Sequence, residues 1–312
     1  MNILIYAMVF LPIAAAFLSF LVGRRSKSGR DLFVWAVVGM EFVLSLLLFF
    51  RSAGAEDLLV TIPGICGFGL NFTVDGFRSI YAVIAALMWL VTSLLSPEYF
   101  AHYRNRNRYY LFLLVTLGAT EAVFLSADLY TTFVFFEMMS FSSYVWVVQE
   151  ETDGAVKASE SFLGIGVIGG LVALMGVFLL YHLTGDLSFV TLRESCAAVE
   201  NRSMLYAAGG CLLFGFGAKA GLYPLHIWLP KAHPVAPAPA SALLSGILIP
   251  GKVSSEKCGC KDSCCPSTHC NIFYLTNPLQ IRDKFYHSFE VNFLSSKAQV
   301  SSAQLYCLMY SP

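Results

Sequence analysis

Cys211-Leu-Leu-Phe-Gly-Phe-Gly-Ala-Lys219-Ala-Gly-Leu-Tyr-Pro224-Leu-His226-Ile-Trp-Leu-Pro230-Lys-Ala-His233-Pro234-Val-Ala-Pro237-Ala-Pro239 is the stretch that decides how this chain is read. A lysine stands inside an apolar, helix-forming run, and five prolines follow within the sixteen residues from Pro224 to Pro239. In hydrocarbon a charged side chain costs about 3 kcal/mol or more. Each backbone group that a proline leaves unpaired adds to that cost, because lipid offers no partner. Lys219 and the broken backbone around Pro224, Pro230 and Pro234 must therefore be shielded by protein or water. The pattern reads as an ion pathway built around a discontinuous transmembrane helix.

Outward from this stretch, composition says the same. Hydrophobic residues make up 57% of the 312, charged residues 13%, and the mean hydropathy is +0.66, values that exclude an ordinary soluble domain and predict an all-α, polytopic transmembrane bundle. The formal net charge is zero, which gives no reason to expect nucleic acid as a partner. The run from Met1 to Gly23 has no basic residue in front of it and no clear cleavage site behind, so it reads as a first span and not as a removed signal peptide.

Windows of about 20 apolar residues place spans near 3–23, 32–50, 79–97, 109–126, 129–148, 162–184 and 203–223, with a shorter apolar stretch at 240–249. Arg24, Arg25, Lys27 and Arg30 follow the first span, and Arg104, Arg106 and Arg108 follow the third. Segment 51–76 has one basic residue, Arg51, against Glu56, Asp57 and Asp75. The positive-inside bias predicts a multi-pass protein of the cell membrane with its N-terminus outside. Tyr and Trp near span ends, among them Trp35, Tyr99 and Trp146, fit interfacial anchoring.

Composition changes at Pro250. Beyond it no apolar run approaches the length of a span, and six of the nine cysteines fall there: Cys258, Cys260, Cys264, Cys265, Cys270 and Cys307. Their spacing is not the paired C-x₂-C form, so no metal site is expected of them. The chain is expected to divide into an N-terminal three-helix segment at 1–108, a channel-forming repeat at 109–249, and a Cys-rich tail at 250–312 that is disordered or the product of a frameshift or truncation.

Within the spans, Glu137 sits mid-helix among apolar neighbours and Lys219 at similar depth in the seventh span. Each has a plain alternative: a neutral carboxyl satisfied by Ser or Thr on an adjacent helix, and a lysine snorkelling to an interface. Pairing the two is the economical expectation, within direct or one-water reach. Moving one partner would then change the other's affinity for a proton. Glu41 and Glu121 have no assigned role and are expected to be satisfied locally. Gly164, Gly166, Gly169 and Gly170 are expected to permit close helix packing.

The segment Phe135-Phe-Glu137-Met-Met-Ser140-x-Ser142-Ser143-Tyr144 and the ordered run Lys219-Ala-Gly-x-x-Pro224-Leu-His226-x-Trp228-Leu-Pro230-x-Ala-His233-Pro234-x-Ala-Pro237-x-Pro239-x-Ser241-Ala-Leu-Leu-Ser-Gly246 resemble the proton-translocating antiporter family. That family comprises the antiporter-like membrane subunits of complex I (NADH-quinone oxidoreductase), the membrane subunits of energy-converting hydrogenases and formate hydrogenlyase, and the large subunits of multisubunit sodium/proton antiporters. The likeness covers about residues 1–249, including Gly69-Leu-Asn-Phe-Thr-Val-Asp75-Gly-Phe and Tyr181-His-Leu-Thr-Gly185.

The resemblance implies the first inverted-repeat half of an antiporter-like fold, with Glu137, Lys219, His226 and His233 in proton translocation. For the two histidines, hydrogen bonding to the unwound backbone is an equal alternative. It also implies no redox cofactor in this chain, no catalytic redox site, and partners in the other membrane subunits of a respiratory, hydrogenase or antiporter complex, with protons and possibly Na+ as cargo. The pattern departs at Pro250, where a further lysine is expected; Lys252 is displaced, and the implied path stops about half way. The rival readings are a seven-span receptor, against which the stretch Pro97 to Arg104 lacks an acidic-Arg-Tyr signature, and an assembly scaffold that moves no ions.

Overall fold

A computed structural model describes residues 2–52, 58–64, 67–102 and 105–244. The Cys-rich tail, the apolar stretch beyond Leu244 and the end of the long motif at Ser245 and Gly246 lie outside the described residues, as do Arg104, Glu56 and Asp57.

Helices α1 (Asn2–Arg25) and α2 (Lys27–Ser52) form a hairpin whose turn at Ser26 keeps helical hydrogen bonding on both sides. Helix α3 (Gly76–Tyr99) is capped by Asp75, whose carboxylate accepts from the Arg78 N–H at 2.6 Å. Helix α4 (Arg106–Leu125) is the hub, packed against α1, α3 and α5 (Leu129–Val147). Helix α6 (Asp153–Thr184) runs 32 residues, about 48 Å at 1.5 Å per residue, and its polar first turns Asp153 to Glu160 extend the span expected at 162–184. A short α7 (Leu192–Ala198) leads into α8 (Arg202–Ala220), which packs along α6.

Six helical segments are long and apolar enough to cross a membrane: α1, α2, α3, α4, α6 and Arg202–Ala232. Helix α5 carries the serines and Glu137 and is largely buried between its neighbours. The protein is an all-α, multi-pass membrane bundle.

One element departs from the expected pattern. Strands β1 (Leu58–Ile62) and β2 (Leu70–Val74) pair antiparallel, with Val60 opposite Phe72, in a segment read only as a loop. Leu70, Phe72 and Val74 are buried and alternate with half-buried Asn71 and Thr73, a period of two that a window sized for spans passes over. The hairpin closes one end of the bundle. The Ala127 N–H donates to Asn71 O at 2.8 Å, the Phe189 N–H donates to Ala127 O at 3.1 Å, and Asn71 Nδ2 donates to the Asp128 carboxylate at 2.8 Å.

The opposite end is basic. Arg30 reaches from α2 to Asn107 on α4, and Arg108 pairs with Glu151 at 2.6 Å. The clusters following the first and third spans thus share one face, and Asp75, Asp128 and Asp186 stand at the other.

Candidate functional site

The site lies where α5, α6 and α8 meet. Helices α6 and α8 approach backbone to backbone. A Cβ added at Gly215 would fall 2.5 Å from Gly169 O and clash with Ala173, and one at Gly169 would fall 2.7 Å from the Ala218 Cβ. Of the four glycines expected to permit close packing, Gly169 and Gly170 do so. Gly164 and Gly166 face open space, because they lie further back along α6, before its contact with α8 begins; Gly176 belongs to the contact instead. This tight seam fixes the end of α8, where Lys219 is the penultimate residue.

Helix α8 stops because Gly221 adopts a left-handed conformation, φ +71°, and the Leu222 N–H turns back to Gly217 O at 2.9 Å. The chain then runs through a 3₁₀ turn at Leu225–Trp228, the single turn α9 (Leu229–Ala232) and, after Pro234 and Pro237, α10 (Ala238–Leu243). This is the discontinuous helix that the prolines foretell. Its freed carbonyls are met from within: Trp228 Nε1 donates to Ala218 O at 2.8 Å, which ties the far side of the break to the end of α8.

Lys219 is 4% exposed. Its Nζ donates to Ser143 Oγ on α5 at 3.1 Å and lies 4.0 Å above the Phe162 ring of α6 and 5.9 Å from that of Trp228. Trp228 packs edge-on against Phe162, their centroids 4.9 Å apart, so the ammonium sits in an aromatic corner with one hydroxyl. Glu137, half-buried, lies against α6 at Gly170, where an added Cβ would fall 2.6 Å from its Oε1 and 2.7 Å from its Oε2. The absence of a side chain at Gly170 makes the seat for this carboxyl.

Direct contact between Glu137 and Lys219 is absent. Ion pairs within 4.0 Å among the described residues are Arg30–Asp31, Arg78–Asp75 and Arg108–Glu151. The two groups nevertheless act on each other electrostatically. The arrangement is an acid and a base on neighbouring helices, with the lysine held by Ser143, a geometry in which either can be recharged without breaking a direct ion pair.

The two histidines differ. His233 Nδ1 is 2.7 Å from Ser241 Oγ, a link across the break to α10. The His226 ring stacks on Tyr223 at 5.6 Å, and its buried Nδ1 makes no hydrogen bond. Pro224, Pro230 and Pro234 all stand in the broken segment, with exposed rings.

Ser143, Phe162 and Gly170 were not singled out by residue type, since serine, phenylalanine and glycine are ordinary in packed membrane helices. The expectation of local satisfaction for Glu41 and Glu121 is overturned. Both are fully buried and none of their four carboxyl oxygens has a partner. The hydroxyls nearest them in sequence are turned back on their own helices, Ser45 to Phe42 O and Thr120 to Thr116 O, and offer the acids nothing.

Comparison with known proteins places this geometry. Residues 126–251 match the family described as NADH:quinone oxidoreductase/Mrp antiporter, TM. A Na(+)/H(+) antiporter subunit of Alkalihalophilus pseudofirmus is 27% identical over 248 residues, 80% of this chain and 50% of that protein. Hydrogenase-4 component B of Escherichia coli is 30% identical over 182 residues, 58% of this chain and 27% of that protein. Among solved structures, a chain of the membrane-bound sulfane sulfur reductase, an archaeal respiratory membrane complex, shares the fold with a TM-score of 0.71 at 21% identity, covering 78% of this chain and 50% of that one. The chain spans half or less of the curated relatives named here. The motif around Lys219, the broken helix and these likenesses agree: through residues 126–251 the chain belongs to the NADH:quinone oxidoreductase/Mrp antiporter transmembrane family.

Proposed function

We propose that this chain is a membrane subunit that carries protons, alone or in exchange for a monovalent cation such as Na+, inside a multisubunit membrane complex. Glu137 and Lys219 are its charge-handling pair. The observation that carries this reading is the placement of Lys219: an ammonium 4% exposed, at the point where a membrane helix ends and unwinds, held by a neutral hydroxyl and within electrostatic reach of a carboxyl it does not touch. A lysine serving only as structure in such a place would be expected to close an ion pair. One left half a step from its acid can release a proton and recover it when the acid's charge moves. Relatives named as antiporter and hydrogenase components support the same class of activity.

The partners on this reading are other membrane subunits, and coupling energy comes from them. His226 and His233 stand on the far side of the break, with His226 the better relay because its Nδ1 is uncommitted and His233 the better brace because it holds Ser241. The basic face of the bundle is cytoplasmic and the hairpin face external, which sets the N-terminus outside.

Everted vesicles carrying the chain with its partner subunits provide the test, with a pH-sensitive dye reporting proton movement when Na+ or the respiratory substrate is added. Lys219→Ala should reduce the dye response at least tenfold at equal protein level. An unchanged response would remove Lys219 from the pathway.

A further inference from the structure

Glu41 and Glu121 pose a physical problem that the Glu137 and Lys219 site does not solve. They stand on α2 and α4, which touch directly inside the four-helix group formed with α1 and α3. Both are fully buried, and all four carboxyl oxygens lack any hydrogen-bond donor. The two acids act on each other, and no basic group contributes at either. On the four helices the basic residues stand in terminal turns: Arg24 and Arg25 on α1, Lys27, Arg30 and Arg51 on α2, Arg78 on α3, and Arg106 and Arg108 on α4. Of the other titratable groups there, Tyr109 is bonded to Ser96, Tyr110 lies beneath Arg30, and Tyr81 stacks on Phe77. From α5 the acid is Glu137, seated away on α6.

A low-dielectric interior does not hold two close negative charges without compensation. Some positive charge must join the acids, and their unpaired oxygens are where it would land. A metal ion needs several oxygen ligands at once, whereas among the described residues no cluster of three or more acidic, histidine or cysteine side chains is present to hold one. A proton needs a single carboxyl oxygen and leaves the second carboxyl to accept a hydrogen bond from the first.

We propose that Glu41 and Glu121 form a coupled proton-binding site of their own, separate from Glu137 and Lys219, in which a proton taken from water adds to an oxygen of one carboxylate and is shared with the other. The site stands whether or not the chain transports ions.

Infrared difference spectroscopy of the full chain in lipid nanodiscs, stepped in pH, tests this through the C=O stretch of protonated carboxyls. E41Q and E121Q should each remove part of that signal. In each single variant the midpoint of the remaining acid should move at least tenfold in proton concentration, because its titrating neighbour is gone. E41D and E121D keep an acid at each position and should keep the signal at a shifted midpoint, which separates loss of the site from loss of the fold. The proposal is overturned if the carboxyl signal is the same in wild type and both Gln variants, or if the single variants leave the midpoint in place. It is also overturned if the midpoint follows Na+ concentration, which would make this a cation site.

Discussion

Two parts of this molecule bury ionisable groups, and they do it in opposite ways. Around α1 to α4 the buried pair is acid with acid, Glu41 and Glu121, with no donor to either. Around α5, α6 and α8 it is acid with base, Glu137 and Lys219, each with a seat built by neighbours: Gly170 for the carboxyl, Ser143 with the Phe162 ring for the ammonium. Only the second pair adjoins a broken helix. The difference separates holding charge from moving it. Like charges can bind protons, whereas opposite charges in one site let the arrival of one charge expel another.

The comparison breaks most sharply at the acid of the mixed pair. Removing Glu137 alone, as Glu137→Ala, leaves a buried lysine without its counter-charge and should cost about 3–5 kcal/mol. The double change Glu137→Ala with Lys219→Met should cost less than the single one. Denaturant titration in detergent measures both, and a double variant less stable than the single would contradict the electrostatic coupling.

Next in size is the seam that positions Lys219. Gly215→Leu drives a side chain into Gly169 O and Ala173 and should destabilise by about 3 kcal/mol. The same change at Gly164, which meets open space, should be close to neutral, and thermal melting of the two variants compares them directly.

Ser143→Ala removes the hydroxyl that takes the lysine's proton and should cost about 1.5–3 kcal/mol, the range for a hydrogen bond to a charged group. Ser142→Ala should cost less, because that hydroxyl bonds only Thr116 and its own helix. Equal losses at the two serines, read in the same titration, would argue against a special role for Ser143.

The smallest effect lies outside the membrane, at the hairpin face. Burial opposes the charge of Asp186, but the Thr191 hydroxyl and the N–H groups of Ser188 and Leu187 outweigh it and hold the carboxyl below its ordinary range. A lowered acid contributes stability that is present above its unfolded value, about 3.9, and is lost as pH falls through the folded value. Hydrogen exchange in segment 185–191 should therefore quicken on acidification in the wild type. In Asp186→Asn it should already be fast at neutral pH, with little further change.

Much of this was legible in the sequence. The spans follow from hydropathy, and the break follows from proline chemistry, since a ring without an N–H cannot continue a helix. Glu137 and Lys219 announced themselves because charge in a span is rare. What stayed hidden depends on which side chains meet. The hairpin at 58–74 was passed over because a window sized for helices averages away a two-residue period. Ser143 and Gly170 carry no signal of their own until α5 is set against α8 and α6. Glu41 and Glu121 were visible as charges, but their proximity required the α2 and α4 contact, which joins residues 80 positions apart and cannot be read from either helix alone.

The central claim is that Glu137 and Lys219 work as one unit in moving charge. A double-mutant cycle on proton flux, in vesicles holding the assembled complex, tests it most directly with Glu137→Gln, Lys219→Met and the two together, each at matched protein level. The account predicts that each single change lowers flux at least tenfold and that the double variant is no worse than the more damaged single. Losses that multiply, or flux that survives either single change, would contradict it.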